Sequence, residues 1–568
     1  MLNIIIWFFL IAISGCAQFP KNKARSSELT PTLSYVFKKG SDSKSMNVSL
    51  EFQGKDIGQT EIMYAHEWAG SVFHDDITDF KVLNKDAKIQ STKERNVKLI
   101  THKPNEVLKI TYKVTQNVPS PDRTYRALIS DQYFHFIGQA ALVTPAVEDE
   151  KKDYLVTMLF KGFSKKFKLA NSFFALKNKH TFKAPLFEIL YGIYVGGDFR
   201  IQKILIKDKP LYVAIRGDWK FKDEDLFKVA EKIVSFQRNF FKDHDFDQFL
   251  ITMIPNGLDC CSSGGTGLTN AFATFLPIDF DIHTQIKFLL SHELFHTWNG
   301  NRIGRQEPEQ LVYWFSEGFT DYYSRVLLLR SGEISFKEFL DDHNKMLHEY
   351  YTSEFINQPN TRILKDFWTN DDVQKLPYRR GHILAHKWNA EIKSKSKNLN
   401  SIDNILIDLF KEAMSKGTVI SEDSFTRISS SYIDGGFKSD LEKYVNNGQT
   451  IIPGSNDLGP CAIRKEINLG KFEHGYDSIQ TYNTKVMAGL KKDSPAYKSG
   501  LRDGDQVLAR KMVNPPFKES SITIQDRKGQ EKTIKFFPVG NKKYKTYFFE
   551  LNEKAFKSDP KLCLDFFK

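Results

Sequence analysis

Five cysteines in 568 residues, with no Cys-x-x-Cys pair among them, exclude a thiolate zinc cluster and a densely disulfide-stapled scaffold. No internal repeat or low-complexity tract is present, so a solenoid or a repetitive fibre is excluded as well. Beyond the first residues there is no apolar run long enough to cross a membrane. The formal charge of +12 comes from lysines spread along the chain rather than clustered with aromatics. That pattern reads as a solvated basic surface able to rest against anionic headgroups, with no nucleic-acid module behind it. At this length one core is too few, and about three domains are expected.

The chain's chemistry concentrates in Ser291-His292-Glu293-Leu294-Phe295-His296-Thr297-Trp298. Two imidazoles four residues apart on a helix share one face, where both can reach a single Zn²⁺. Glu293 then points beside the metal, placed to take a proton from a water that the metal polarises. A catalytic zinc needs a third protein ligand and one open position. Gly300, Gly304 and Pro308 mark the end of one helix and the start of another, which carries Trp314-Phe315-Ser316-Glu317-Gly318-Phe319-Thr320-Asp321. Glu317, a carboxylate inside an apolar run, is the candidate third ligand. Asp321, one turn further on the same face, is the candidate partner for the far nitrogen of a ligating histidine.

HELFHTWNGNRI followed by WFSEGFTDYY resembles the glycyl aminopeptidase family of zinc metallopeptidases, relatives of the alanyl-aminopeptidase and leukotriene-hydrolase family. The resemblance implies a thermolysin-like catalytic domain, one Zn²⁺ per chain and hydrolysis of peptide bonds. It also implies a catalytic tyrosine in a Tyr-x-x-Gly segment. Leu376-Pro377-Tyr378-Arg379-Arg380-Gly381 supplies Tyr378, ahead of an apolar helix expected over 383–392. The family's amine-gripping Gly-x-x-Glu segment corresponds to Gly264–Asn270, where Gly267, Leu268 and Thr269 are the candidate substrate-binding residues. Thr269 stands where the glutamate would be, and a hydroxyl cannot balance a buried ammonium group. An endopeptidase, an amine site built from another carboxylate, another hydrolase on the same zinc, and a non-catalytic adaptor therefore stay open beside the aminopeptidase reading.

The expected fold class is multidomain α+β, with an N-terminal all-β domain, a thermolysin-like zinc metallopeptidase domain and a C-terminal PDZ domain. Period-two alternation, as in 46–52 and 107–112, places the β domain over 34–217. The catalytic domain follows over 218–455, with a helix over 225–241 and a buried strand over 249–254. The string Ser494-Pro495-Ala496 through Gly500-Leu501 to Gly504-Asp505 is similar to bacterial protease PDZ domains and places that domain over 465–552. Its groove is expected to take peptide chain ends by strand addition, and 553–568 is read as a tail. Ile4 to Ile13 is an apolar run ending in Ile13-Ser14-Gly15-Cys16, which resembles a bacterial lipobox, although Met1-Leu2-Asn3 lacks Lys or Arg. Lipidation at Cys16 would tether the enzyme to a cell-envelope membrane, with 17–33 as linker. Plain secretion and an uncleaved anchor remain alternatives. Cys461 and Cys563 flank the last domain and can pair, while Cys260 and Cys261 are adjacent; sequence fixes no connectivity.

Overall fold

Alternation of apolar and polar side chains shapes the first half of the chain. In the computed structural model, which describes residues 30–68, 71–117, 126–256, 264–278, 280–513 and 519–568, Ser45–Gln53 and Val107–Thr115 bury every second residue. They pair antiparallel from Ser45↔Thr115 to Gln53↔Val107. Together with Thr32–Lys39, Asp153–Lys161, Lys179–Pro185 and Ile77–Val82 they make a six-stranded sheet. Its apolar face, including Tyr35, Phe37, Leu50 and Ile110, packs into one core with Phe134 and Phe136 of a four-stranded sheet. The expected β domain is present. The leader, Cys16, Cys260 and Cys261 lie outside the described residues.

The described residues form two compact units, divided between Leu289 and Leu290. The first ends in a five-stranded sheet ordered Arg200–Ile206, Lys209–Ile215, Phe249–Pro255, Ala271–Leu276, Gly264–Leu268. Phe249–Pro255 runs parallel to both neighbours. Six of its seven residues are buried, as expected for a strand covered on both faces. The amphipathic helix is Asp223–Phe241; Asp223, Glu224 and Asp225 favour its positive end, and Lys242 closes it in the left-handed conformation.

The second unit is helical and then β. Its helices include Gly318–Arg330, Phe336–Tyr351, Asp371–Lys395 and Ile402–Lys416. Ser335 and Glu338 start the second of these with reciprocal side-chain-to-backbone bonds. The helix expected over 383–392 begins much earlier, at Asp371. Proline usually ends a helix, and Pro377 lies inside this one. Asn370 caps the N–H groups of Asp372 and Val373, and buried Leu376 and Pro377 hold the second turn in place.

Beyond residue 460, Ala462–Phe472 pairs with Val539–Leu551, and Gln506–Lys511, Ser520–Gln525 and Glu531–Phe536 form a three-stranded sheet. Tyr476, Met487, Leu501, Ile522, Ile524 and Phe536 belong to its small core. Ser494 caps the short helix Pro495–Lys498 as its sequence suggests. Residues 486–490 make a single bridge, from Val486 to Gln506. The expected tail is two short helices, Glu553–Ser558 and Pro560–Asp565. A Cys461–Cys563 disulfide closes 102 residues of chain around this region, with a Cα–Cα distance of 5.4 Å. No helix among the described residues is long and apolar enough to cross a membrane. Closing a loop of this size restricts the unfolded chain, so Cys461→Ser with Cys563→Ser should lower unfolding free energy by about 2–5 kcal/mol in chemical denaturation.

Candidate metal centre

The helix Lys287–Phe295 carries His292, and the turn that ends it carries His296. Their rings stand 4.8 Å apart, centroid to centroid. Each ring has its tautomer fixed by what its Nδ1 meets. His296 Nδ1 faces the Asn299 carbonyl at 3.0 Å, and His292 Nδ1 faces Asp321 Oδ1 at 3.1 Å. Both partners only accept, so both Nδ1 atoms carry the proton and both Nε2 lone pairs are left free. Those lone pairs point at each other across 3.2 Å.

Glu317 closes the triangle. Its Oε2 lies 3.3 Å from His296 Nε2 and 3.5 Å from His292 Nε2. Ligands at zinc's usual 2.0–2.2 Å in tetrahedral array sit about 3.3–3.6 Å apart. Three electron-pair donors at 3.2–3.5 Å repel one another unless a cation lies among them. The donor set therefore fits zinc with a fourth position open, and the three ligand side chains keep 11–13 % exposure. Burial disfavours charge on His292, yet the carboxylates of Asp321, Glu317 and Glu293 around it raise its proton affinity to about 10. Burial likewise opposes ionisation of Glu317, but His296 and His292 hold its carboxyl well below the usual range. The site is a well built for positive charge.

Glu317 sits at the joint between the helices Tyr313–Ser316 and Gly318–Arg330, with helical backbone bonds on both sides of it. Gly318 and Gly381 let the helix Asp371–Lys395 cross there in backbone contact. A Cβ on Gly381 would fall 1.7 Å from the Trp314 carbonyl oxygen, and one on Gly318 would fall 2.4 Å from the Gly381 Cα. The crossing stacks the Tyr378 ring on His292 at 6.0 Å and 15°. Burial and the charges of Glu317, Asp321 and Glu293 push the Tyr378 phenol well above its ordinary value, so it remains a proton donor. Glu293, half-buried, acts electrostatically on both His292 and Tyr378.

His292, Glu293, His296, Glu317, Asp321 and Tyr378 are thus brought together. Gly267, Leu268 and Thr269 belong to the first unit, where Gly267 and Leu268 end the last strand of the five-stranded sheet and the Thr269 N–H donates to the Tyr191 carbonyl at 3.2 Å. The sequence reading missed three supporting residues. Asn299 Nδ2 donates to the Phe315 carbonyl and to Thr320 Oγ1, both at 3.1 Å, tying the zinc helix's end to the next helix. Arg325 and Arg379 each donate to Asp321, at 2.8 and 2.9 Å, and Arg379 also binds Glu349. Arg325 follows Asp321 by one helical turn, which was the available signal; the pairing with Arg379 spans 58 residues and had none.

Asp321→Asn should weaken zinc affinity about 10–100-fold in a competition titration. Gly381→Ala should cost roughly 2–3 kcal/mol of stability, read by denaturant unfolding, because the crossing has no room for a methyl group.

A model of the M61 glycyl aminopeptidase family matches residues 285–361, the segment that holds both histidines and Glu317. Among curated proteins none matches the chain. Among solved structures, an aminopeptidase N family protein from Idiomarina loihiensis is similar at 15 % identity. The match has a TM-score of 0.71 and covers 94 % of this chain and 100 % of that one. An M1 zinc metallopeptidase from Deinococcus radiodurans follows at 11 % identity, 78 % and 100 % coverage and TM-score 0.48. Leukotriene A4 hydrolase from Saccharomyces cerevisiae matches at 15 % identity, 75 % and 69 % coverage and TM-score 0.46. The first of these shares its fold with nearly the whole of this chain, and the donor triangle lies inside the segment that matches the M61 glycyl aminopeptidase family.

Proposed function

We propose that the chain cleaves peptide bonds at the amino end of peptides, on a thermolysin-like catalytic domain, with Glu293 as general base and Tyr378 as oxyanion donor. The observation that carries this reading is the triangle of His292, His296 and Glu317 donor atoms with Glu293 and Tyr378 beside it. His292, His296 and Glu317 would hold zinc, which would supply an acidified water and polarisation of the scissile carbonyl. Glu293 accepts the water's proton at a carboxylate oxygen and returns it to the leaving amine nitrogen. The Tyr378 hydroxyl, kept protonated by its surroundings, donates to the carbonyl oxygen as negative charge develops on it. Asp321 fixes the His292 ring and is itself held by Arg325 and Arg379.

One observation favours a second reading, an endopeptidase. Thr269 offers no charge to an ammonium group, so recognition of a free amino end needs a carboxylate elsewhere. The exported, Cys16-lipidated form and a peptide-binding PDZ fold over 465–552 belong to the same proposal. The Cys461–Cys563 disulfide supports export, since such bonds persist in oxidising compartments.

Glu293→Gln should keep its zinc in elemental analysis while kcat falls about 10²–10⁴-fold, and undiminished turnover would remove Glu293 as base. Tyr378→Phe should lower kcat about 10²–10³-fold with little change in KM. Paired free and acetylated peptides decide the class: cleavage confined to free ends supports the aminopeptidase, and equal cleavage of blocked peptides establishes the endopeptidase.

A further inference from the structure

Three histidines outside the catalytic centre form a second donor set. His382 and His386 are four apart on the helix Asp371–Lys395, repeating the spacing of the zinc pair, and His343 reaches them from the helix Phe336–Tyr351. Their ring centroids lie 4.8–5.0 Å from one another, against 4.8 Å for His292 and His296. One nitrogen from each falls within 4.8 Å of the other two. All three are buried, with at most 2 % of their surface exposed.

Hydrogen bonding does not account for these rings. His343 Nδ1 and His382 Nε2 bond each other at 2.8 Å. His382 Nδ1 and both nitrogens of His386 have no hydrogen-bond partner among the described residues. Beside them Tyr322, whose ring meets His386 edge-on at 4.6 Å, also has a buried hydroxyl without a partner among the described residues. Leaving a buried polar group unsatisfied costs about 1–3 kcal/mol, and native interiors rarely carry several together. An ion that accepts imidazole lone pairs removes that cost. Aromatic packing alone would be served better by phenylalanine, which leaves nothing unpaired.

We propose that His343, His382 and His386 bind a second divalent first-row transition ion, Zn²⁺ in the first instance, which ties the helix Phe336–Tyr351 to the helix Asp371–Lys395. An all-imidazole set suits zinc, copper and nickel over calcium or magnesium. Burial, joined at each by the charge of Arg325, keeps the rings neutral, holding His343 at about 3 and the other two well below the ordinary histidine value. A ligating histidine must be neutral. Arg325 opposes positive charge at the rings, and its pairing with Asp321 and Asp342 reduces that opposition. Binding replaces the 2.8 Å bond with a nitrogen–nitrogen separation of about 3.3 Å, a shift of about half an ångström. The set shares no residue with the catalytic triangle and is too buried for substrate, so its role is structural.

The full-length protein, dialysed against Zn²⁺ and then freed of excess, tests this by metal content and thermal unfolding. Two zinc ions in the unaltered chain and one in Glu317→Ala, whose three histidines are intact, are expected. The Glu317→Ala midpoint should fall when chelator strips the remaining ion. Cobalt in that variant should give the visible absorption of a four-coordinate site with three nitrogen donors. One zinc in the unaltered chain with none in Glu317→Ala overturns the proposal. So does a folded His386→Gln that still holds two. If His386→Gln fails to fold, the Glu317→Ala count alone decides.

Discussion

Two helices cross at Gly318 and Gly381 with no side chain between them, and the placing of the donor triangle and Tyr378 depends on that contact. Glu317 precedes one glycine by a single residue and Tyr378 precedes the other by three, so the crossing sets where the third ligand and the phenol stand relative to the histidine pair. Any larger residue would push the helices apart by the width of a methyl group. Sub-ångström errors matter at a metal whose ligands must sit within a few tenths of an ångström of their places.

Charge is layered around the crossing. The inner layer of Glu317, Glu293 and Asp321 makes a negative well for a dication, shown by the raised proton affinity of His292. Buried carboxylates without partners would be costly, and the outer layer of Arg325 and Arg379 offsets that cost while leaving the Nε2 atoms untouched. Asp321 is the hinge between layers: one oxygen binds His292 and Arg325, the other Arg379. Arg325 also lies close enough to the three buried histidines to disfavour their protonation.

Much of this was legible in the chain because it rests on short-range periodicity. The His292–His296 pair, the Glu317–Asp321 pair and the alternating strands such as Val107–Thr115 each follow from one helical or strand repeat. The helix around Tyr378 was misplaced because Pro377 is read locally as a stop, whereas its tolerance comes from Asn370 and from burial against other helices. The His382–His386 spacing was as plain as that of the zinc pair. It carried no meaning until the fold brought His343 to it across 39 residues.

By itself the sequence determined the donor types and their order along two helices, because a ligand pair one turn apart needs only helical geometry. It also determined the β-then-α division of the chain, through a change in hydrophobic period. Only the tertiary structure decided that Glu317 meets both imidazoles at bonding distance of one ion and that Tyr378 stacks on His292. It alone decided that Arg379 neutralises Asp321 and that Cys461 pairs with Cys563. Those relations join residues tens of positions apart. Their distances are set by how closely backbones pack, a property that no local pattern of residues encodes.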